Sequence, residues 1–141
     1  MVNTIIESVI KHAVERPNSI AFRYLVDMAT APQELTFAQL LKEAKSVAVF
    51  LSRIAAPGSR IMLFFPPGMS YVTSFYGCLL AGMVAVPLYP PRRNVKSDRI
   101  IKVAQSCQSM IALTTASELS AVKAAWQEQN TIGLPLDFYT S

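Results

Sequence analysis

"RIMLFFPPGMSYVTSFYGCLLAGMVAVPLYPPRR", residues 60–93, is the stretch on which the fold turns: no charged residue occurs between Arg60 and Arg92. Residues 68–86 alone supply nineteen uncharged positions, close to the roughly 20 that a membrane helix needs. The composition argues against one continuous span. Ser70, Tyr71, Thr73, Ser74, Tyr76, Gly77 and Gly82 interrupt the run, and Pro66-Pro67 fixes its start. The β-branched "MVAVPLY" (83–89) makes a poor second half of a helix. Three elements fit better. "RIMLFF" (60–65) has the pattern of a strand buried on both faces. After the "PPG" break, 69–82 reads as a buried helix with Gly82 as its cap and Gly77 as a point of close backbone approach. Then 83–89 is a strand, and Pro87 confines it to a sheet edge or makes it a strand end.

Similar units flank this centre. Residues 4–16 predict an amphipathic helix capped by Asn3 or Thr4, with Ile6, Val9, Ile10 and Ala13 on one face and Pro17 as the stop. "SIAFRYL" (19–25) predicts a strand with Ile20, Phe22 and Tyr24 on one side and Ala21, Arg23 and Leu25 on the other. Residues 26–33 read as a loop, from which "EL" leads on. Thr36 and Gln39 have capping-box spacing at the head of the clearest helix, which carries Leu40, Leu41, Ala44, Val47, Ala48, Leu51 and Ile54 in one stripe and ends at Pro57-Gly58. Beyond an exposed loop at 90–97, the expectations are a helix at 98–108 with Ile100, Ile101, Val103 and Ala104 inward, a strand at 109–115, a helix at 116–130 and a strand from 134. Helices alternating with short apolar strands imply an α/β fold, with layered helices on a mainly parallel sheet.

The 141 residues suffice for one modest core, and 52% of them are hydrophobic against 16% charged. A typical soluble domain is about 25% charged. Apolar surface here is therefore expected to be covered by protein outside this chain. The net charge of +4 is a mild basic excess. Cys78 and Cys107 are too few for a disulfide framework and read as buried thiols of a reducing compartment. The N-terminus lacks the basic start and continuous apolar centre of a signal peptide.

Few residues carry chemistry. Arg92, Arg93, Lys96, Arg99 and Lys102 form a basic cluster. A phosphate site beside a helix opened by Ser97 and Asp98 is one reading of it. A solvated loop and helix face is the favoured one, and no aromatic interleaving points to nucleic acid. His12 is the only histidine, beside Lys11 and without partners at ligand spacing, and it reads as a surface residue. Neither GxxxxGK[ST], GxGxxG nor GxSxG occurs, and "GCLLAG" reads as a packed helix. Side-chain chemistry alone assigns no catalytic, cofactor-binding or metal-binding residue.

Three stretches carry a resemblance. "HAVERPNSIAFRYL" (12–25), "LTFAQLLKEAKSVAVFL" (35–51) and "PGSRIMLFFPPGMSYVTSFYGCLLAGMVAVPLYPP" (57–91) together resemble the N-terminal region of the AMP-forming acyl ligases, the adenylate-forming superfamily. Phe37 stands where that family usually has Tyr, Gln39 where it has Glu, and Ser59 where Asp is frequent. The "VPLYPP" ending is most similar to the fatty acyl-AMP ligase branch. The resemblance implies that residues 1–141 are a single α/β region, an N-terminal fragment of a larger cytoplasmic adenylation domain. It implies a parent enzyme that uses ATP and Mg²⁺ to make an acyl-adenylate from a fatty acid, then passes the acyl group to an acyl carrier protein thiol. The family's glycine-rich phosphate loop and catalytic lysine have no counterpart here, and the final "FYTS" (138–141) reads as the end of an earlier strand. The chain alone is then expected to be an inactive scaffold that can self-associate, with the rest of the adenylation domain as its partner. A fatty acyl-CoA synthetase fragment and a stand-alone binding or regulatory module stand as the alternatives.

Overall fold

The computed structural model describes residues 4–91 and 99–141. Two helices open on reciprocal caps. Helix α1 (Ile5–Glu15) starts at Thr4, whose hydroxyl accepts from the Glu7 amide at 3.2 Å while the Glu7 carboxylate accepts from the Thr4 amide at 2.7 Å. Helix α2 (Phe37–Ile54) repeats the arrangement with Thr36 and Gln39, as their spacing predicts.

Between them lies a two-stranded antiparallel sheet, β1 (Ile20–Tyr24) with β2 (Gln33–Thr36). Sequence reasoning placed 26–33 in a loop and gave "EL" no partner. In the structure the loop closes a hairpin, and Gln33 to Thr36 pair back along β1. The expected alternation in β1 also fails. The register slips between Ile20 and Phe22, so Ala21 and Phe22 both pack on the core while Ile20 stays 40% exposed. A bulge of this kind puts consecutive residues on one side, which period-two counting cannot show.

The main sheet is wholly parallel. Its strands are β3 (Arg60–Phe64), β4 (Val84–Leu88), β5 (Ile111–Thr114) and β6 (Asp137–Thr140), in the spatial order β4-β3-β5-β6. Pro87 lies in edge strand β4, where its missing N–H breaks no ladder on the open side. Strand β3 is central, with Ile61, Met62, Leu63 and Phe64 all fully buried. Met62 and Phe64 face α4 (Arg99–Cys107) and α5 (Leu119–Gln129) through Ile100, Ile101, Ala104, Val122 and Trp126. Ile61, Leu63 and Phe65 face α2 and α3 (Met69–Leu80) through Leu51 and Cys78. The sheet is thus the middle of three layers. The chain leaves β3 in one direction with α3 on one face, then returns across β3 with α4 and α5 on the other. All three crossovers therefore share one hand, as parallel connections do.

Helix α3 meets α2 with almost no space. A Cβ on Gly77 would stand 2.5 Å from Val47 Cβ and Cγ1, and 3.1 Å from the Ala44 carbonyl oxygen. The helix then ends at Gly82, which has φ +71°. The Met83 amide donates to the Cys78 carbonyl at 2.9 Å and the Gly82 amide to that of Leu79 at 3.1 Å. This is a Schellman motif, with Ala81 as the C-cap and the glycine one position beyond it. The Gly58 amide donates to the Gly82 carbonyl at 2.8 Å, tying the turn before β3 to the turn before β4. With α3 only 12 residues long, no helix among the described residues is long and apolar enough to cross a membrane.

Gly77→Ala is expected to destabilise the chain by about 1–3 kcal/mol through overpacking against Val47. Gly82→Ala is expected to cost about 1–2 kcal/mol, from placing a Cβ in the left-handed region. Urea unfolding midpoints measure both, and an unchanged midpoint for Gly77→Ala would refute the close contact.

Candidate functional site

In open parallel sheets, ligands bind beyond the carboxyl ends of the strands, near the point where strand order reverses. Here the chain reverses around β3, so its carboxyl end and those of β4 and β5 are the places to look. The β3/β5 gap itself is sealed. Thr114 Oγ1 donates to the Phe64 carbonyl at 2.8 Å, fully buried. At the opposite end of the pair, Ser109 Oγ lies 2.7 Å from the Arg60 carbonyl. These two hydroxyls clamp the strands together and leave no room for a ligand between them.

Beside that seal, past the ends of β3 and β4, a cleft of about 610 Å³ opens. Phe65 and Pro67 line it from the segment after β3, and Tyr71 from the first turn of α3. Pro87 and Tyr89 enter from β4 and the residues after it, Ile100 from α4. The wall is mainly aromatic, proline and aliphatic, the usual make-up of a small-molecule site. Two polar groups reach the lining, Arg99 and Gln129. Gln129 is the last residue of α5, three positions after the buried Trp126. Its Oε1 is buried and accepts no hydrogen bond.

The basic cluster divides. Arg92, Arg93 and Lys96, with Ser97 and Asp98, lie outside the described residues. Arg99 and Lys102 are exposed on α4, opposite the buried Ile100 and Ile101, which agrees with a solvated helix face. Arg99 also borders the cleft. His12 differs from the expected surface residue. It is half-buried, its ring 5.0 Å from that of Phe37, and its Nδ1 accepts from Arg16 Nε at 3.3 Å. The Arg16 guanidinium lies 5.1 Å above the same Phe37 ring, so the trio fastens α1 to the start of α2. A spacing search cannot find this role, because Phe37 is distant in sequence. Gln129 was missed for a similar reason. Near the end of an ordinary helix, nothing local marks a glutamine that will meet the ends of two other strands.

The two cysteines also separate. Cys78 is fully buried under α2 and the sheet, and burial pushes its thiol up to about 12. Cys107, expected to be buried, is half-buried at the end of α4. Burial likewise raises Tyr76. Among the described residues, no three His, Cys, Asp or Glu side chains come together as a metal cluster.

Residues 9–139 match the family of AMP-binding enzymes. The chain belongs to that family. It is 31% identical over 125 residues to the long-chain-fatty-acid–AMP ligase FadD32 of Mycolicibacterium smegmatis, covering 86% of this chain and 20% of that protein. It is 34% identical over 116 residues to the long-chain-fatty-acid–AMP ligase FadD26 of Mycobacterium tuberculosis, again covering 20% of the relative. In fold it is similar to a fatty acyl-adenylate ligase from L. pneumophila, solved in complex with acyl adenylate and pyrophosphate. That match has a TM-score of 0.82 and 27% identity, over 99% of this chain and 23% of the other. The chain therefore spans about a fifth of the length of these relatives, and over that fifth its homologues are fatty acyl-AMP ligases. This member of the AMP-binding family thus has the α/β architecture that the resemblance implied.

The difference between the cysteines is directly measurable. In the native chain a thiol reagent is expected to modify Cys107 and leave Cys78 intact, with Cys78 reacting only on unfolding. The raised Cys78 value also has a pH consequence. Between about pH 9 and pH 12 the unfolded thiol ionises while the folded one stays protonated, so the unfolded state binds fewer protons and stability falls. The contribution is complete below pH 9. Cys78→Ala should flatten the alkaline fall in urea midpoint; an equally steep fall would assign it to other groups.

Proposed function

We propose that residues 1–141 are one α/β region, the N-terminal part of an ATP-dependent fatty acyl-AMP ligase. The observation that carries this reading is unbroken similarity, from α1 to β6, to a ligase captured with acyl adenylate and pyrophosphate. The identity of 31–34% to two named long-chain fatty acid–AMP ligases supports it.

In this reading the parent works in the cytoplasm. It activates a fatty acid with ATP and Mg²⁺, then delivers the acyl group to a carrier-protein thiol. The described residues hold no cluster of three metal-ligating side chains, so no step of that reaction is derived through the metal here. This chain's contribution is structural. Strand β3 and its flanking helices form a rigid layer, and the carboxyl ends of β3 and β4 open toward the substrate. Pairing of the exposed apolar surface with the rest of the adenylation domain accounts for the 52% hydrophobic content.

The test compares two polypeptides in a pyrophosphate-release assay with ATP and a long-chain fatty acid. One is residues 1–141, the other the native reading frame continued past the Ser141 codon. Release by the longer product alone is the expected result. Release by residues 1–141 above a buffer blank would overturn the scaffold role. A stop codon directly after Ser141 would favour a stand-alone module. A coenzyme A thioester in place of an accumulated adenylate would favour an acyl-CoA synthetase.

A further inference from the structure

The cleft beyond β3 and β4 holds an unresolved contradiction. Its wall is built for an apolar occupant, yet the Gln129 carboxamide borders it with Oε1 buried and unpaired. A buried acceptor without a donor is costly, and native structures keep few of them. Ser74, on α3, also has a buried unpaired hydroxyl, but it does not line this cleft. Gln129 is thus the polar group whose missing partner a ligand in the cleft can supply.

The ligand's chemistry follows from both halves of the wall. Phe65, Pro67, Tyr71 and Ile100 call for a hydrocarbon body. Gln129 calls for a group that donates a hydrogen bond. A hydroxyl suits the amide in either orientation, since it both donates and accepts. A plain alkyl chain in the same place would leave the amide unpaired and bar water from it.

We propose that this cleft receives the acyl chain of a hydroxylated fatty acid, with the chain hydroxyl hydrogen-bonded to the Gln129 side chain. This rests on the acyl-activating reading above, and gives Gln129 the role of choosing between hydroxylated and plain chains. Gln129 sits one helical turn from Trp126, the only tryptophan of the chain, so indole fluorescence reports on the site.

The experiment titrates residues 1–141 with 12-hydroxydodecanoate and with dodecanoate. Trp126 emission gives the affinity, and chemical shifts of the Ile100 methyls and the Gln129 amide give the location. The hydroxylated probe is expected to bind about tenfold more tightly, shifting both reporters. In Gln129→Met the preference should vanish or reverse, and without ligand the melting temperature should rise, because the unpaired amide is gone. Equal affinity of the two probes for the wild type, or shifts confined to other residues, overturns the proposal. So does a fall in melting temperature for Gln129→Met, which would mark the amide as a structural group already satisfied. Should the variant fail to fold, the wild-type preference and the shift map still decide. Binding is read without catalysis. A longer polypeptide that releases no pyrophosphate while the probe preference holds would fail the acyl-ligase reading and leave the cleft assignment standing.

Discussion

Strand β3 has to be buried on both faces at once, and the other layers are arranged around that requirement. Four consecutive residues, Ile61 to Phe64, are fully buried. Burying a large aliphatic or aromatic side chain is worth roughly 1.5–3 kcal/mol. Neither face can be left to water without losing two such side chains. The strand must therefore be central and must carry a helical layer on each side. A strand needing cover on both faces is most easily served by crossover helices, which parallel connections provide. The order β4-β3-β5-β6 follows from this. The first crossover covers one face of β3 with α3, and the return path covers the other with α4 and α5.

Close approach on the α2/α3 side makes this economical in space. Gly77 lets α3 rest against Val47 and the Ala44 backbone, so two helices cover the sheet face together with β1, β2 and α1 behind them. The turn at Gly82 then delivers the chain to edge strand β4 at the right height, held to Gly58 by a backbone bond. The stretch that looked most like a membrane span is apolar because it supplies a central strand, a close-packed helix and an edge strand in succession. Each of them is buried by protein rather than lipid. Its glycines and prolines have positional roles there that a lipid-facing helix would not require.

What the sequence made legible was local. Both capping residues of α1 and α2, the Pro87 edge, the Gly77 contact and the Gly82 turn have signatures within a few residues of themselves. The alternation of strands and helices gave the layer architecture for the same reason. The β1–β2 pairing was hidden because the short "QELT" has little apolar character and its partner lies beyond a loop. The bulge near Ala21 was hidden because it is a property of two strands, not one. His12 and Gln129 acquire their surroundings only by tertiary contact, the first from Phe37 and the second from the ends of β3 and β4.

The same distinction explains why so family-specific a sequence carries so little visible chemistry. The "VPLYPP" segment identifies relatives because it ends an edge strand and builds one wall of a cleft, both of which constrain residue type through packing. Packing constraints of this kind specify shape and exclude water without presenting a reactive group. A site assembled on such a layer gains a fixed apolar wall with polar functions added from other parts of the chain. Gln129 is one such function already in place. Its unpaired carbonyl is tolerable in the folded chain only because the β3–β5 clamp and the three-layer core supply the stability that it subtracts. That is the relation expected between a scaffold and a group kept for recognition rather than for folding.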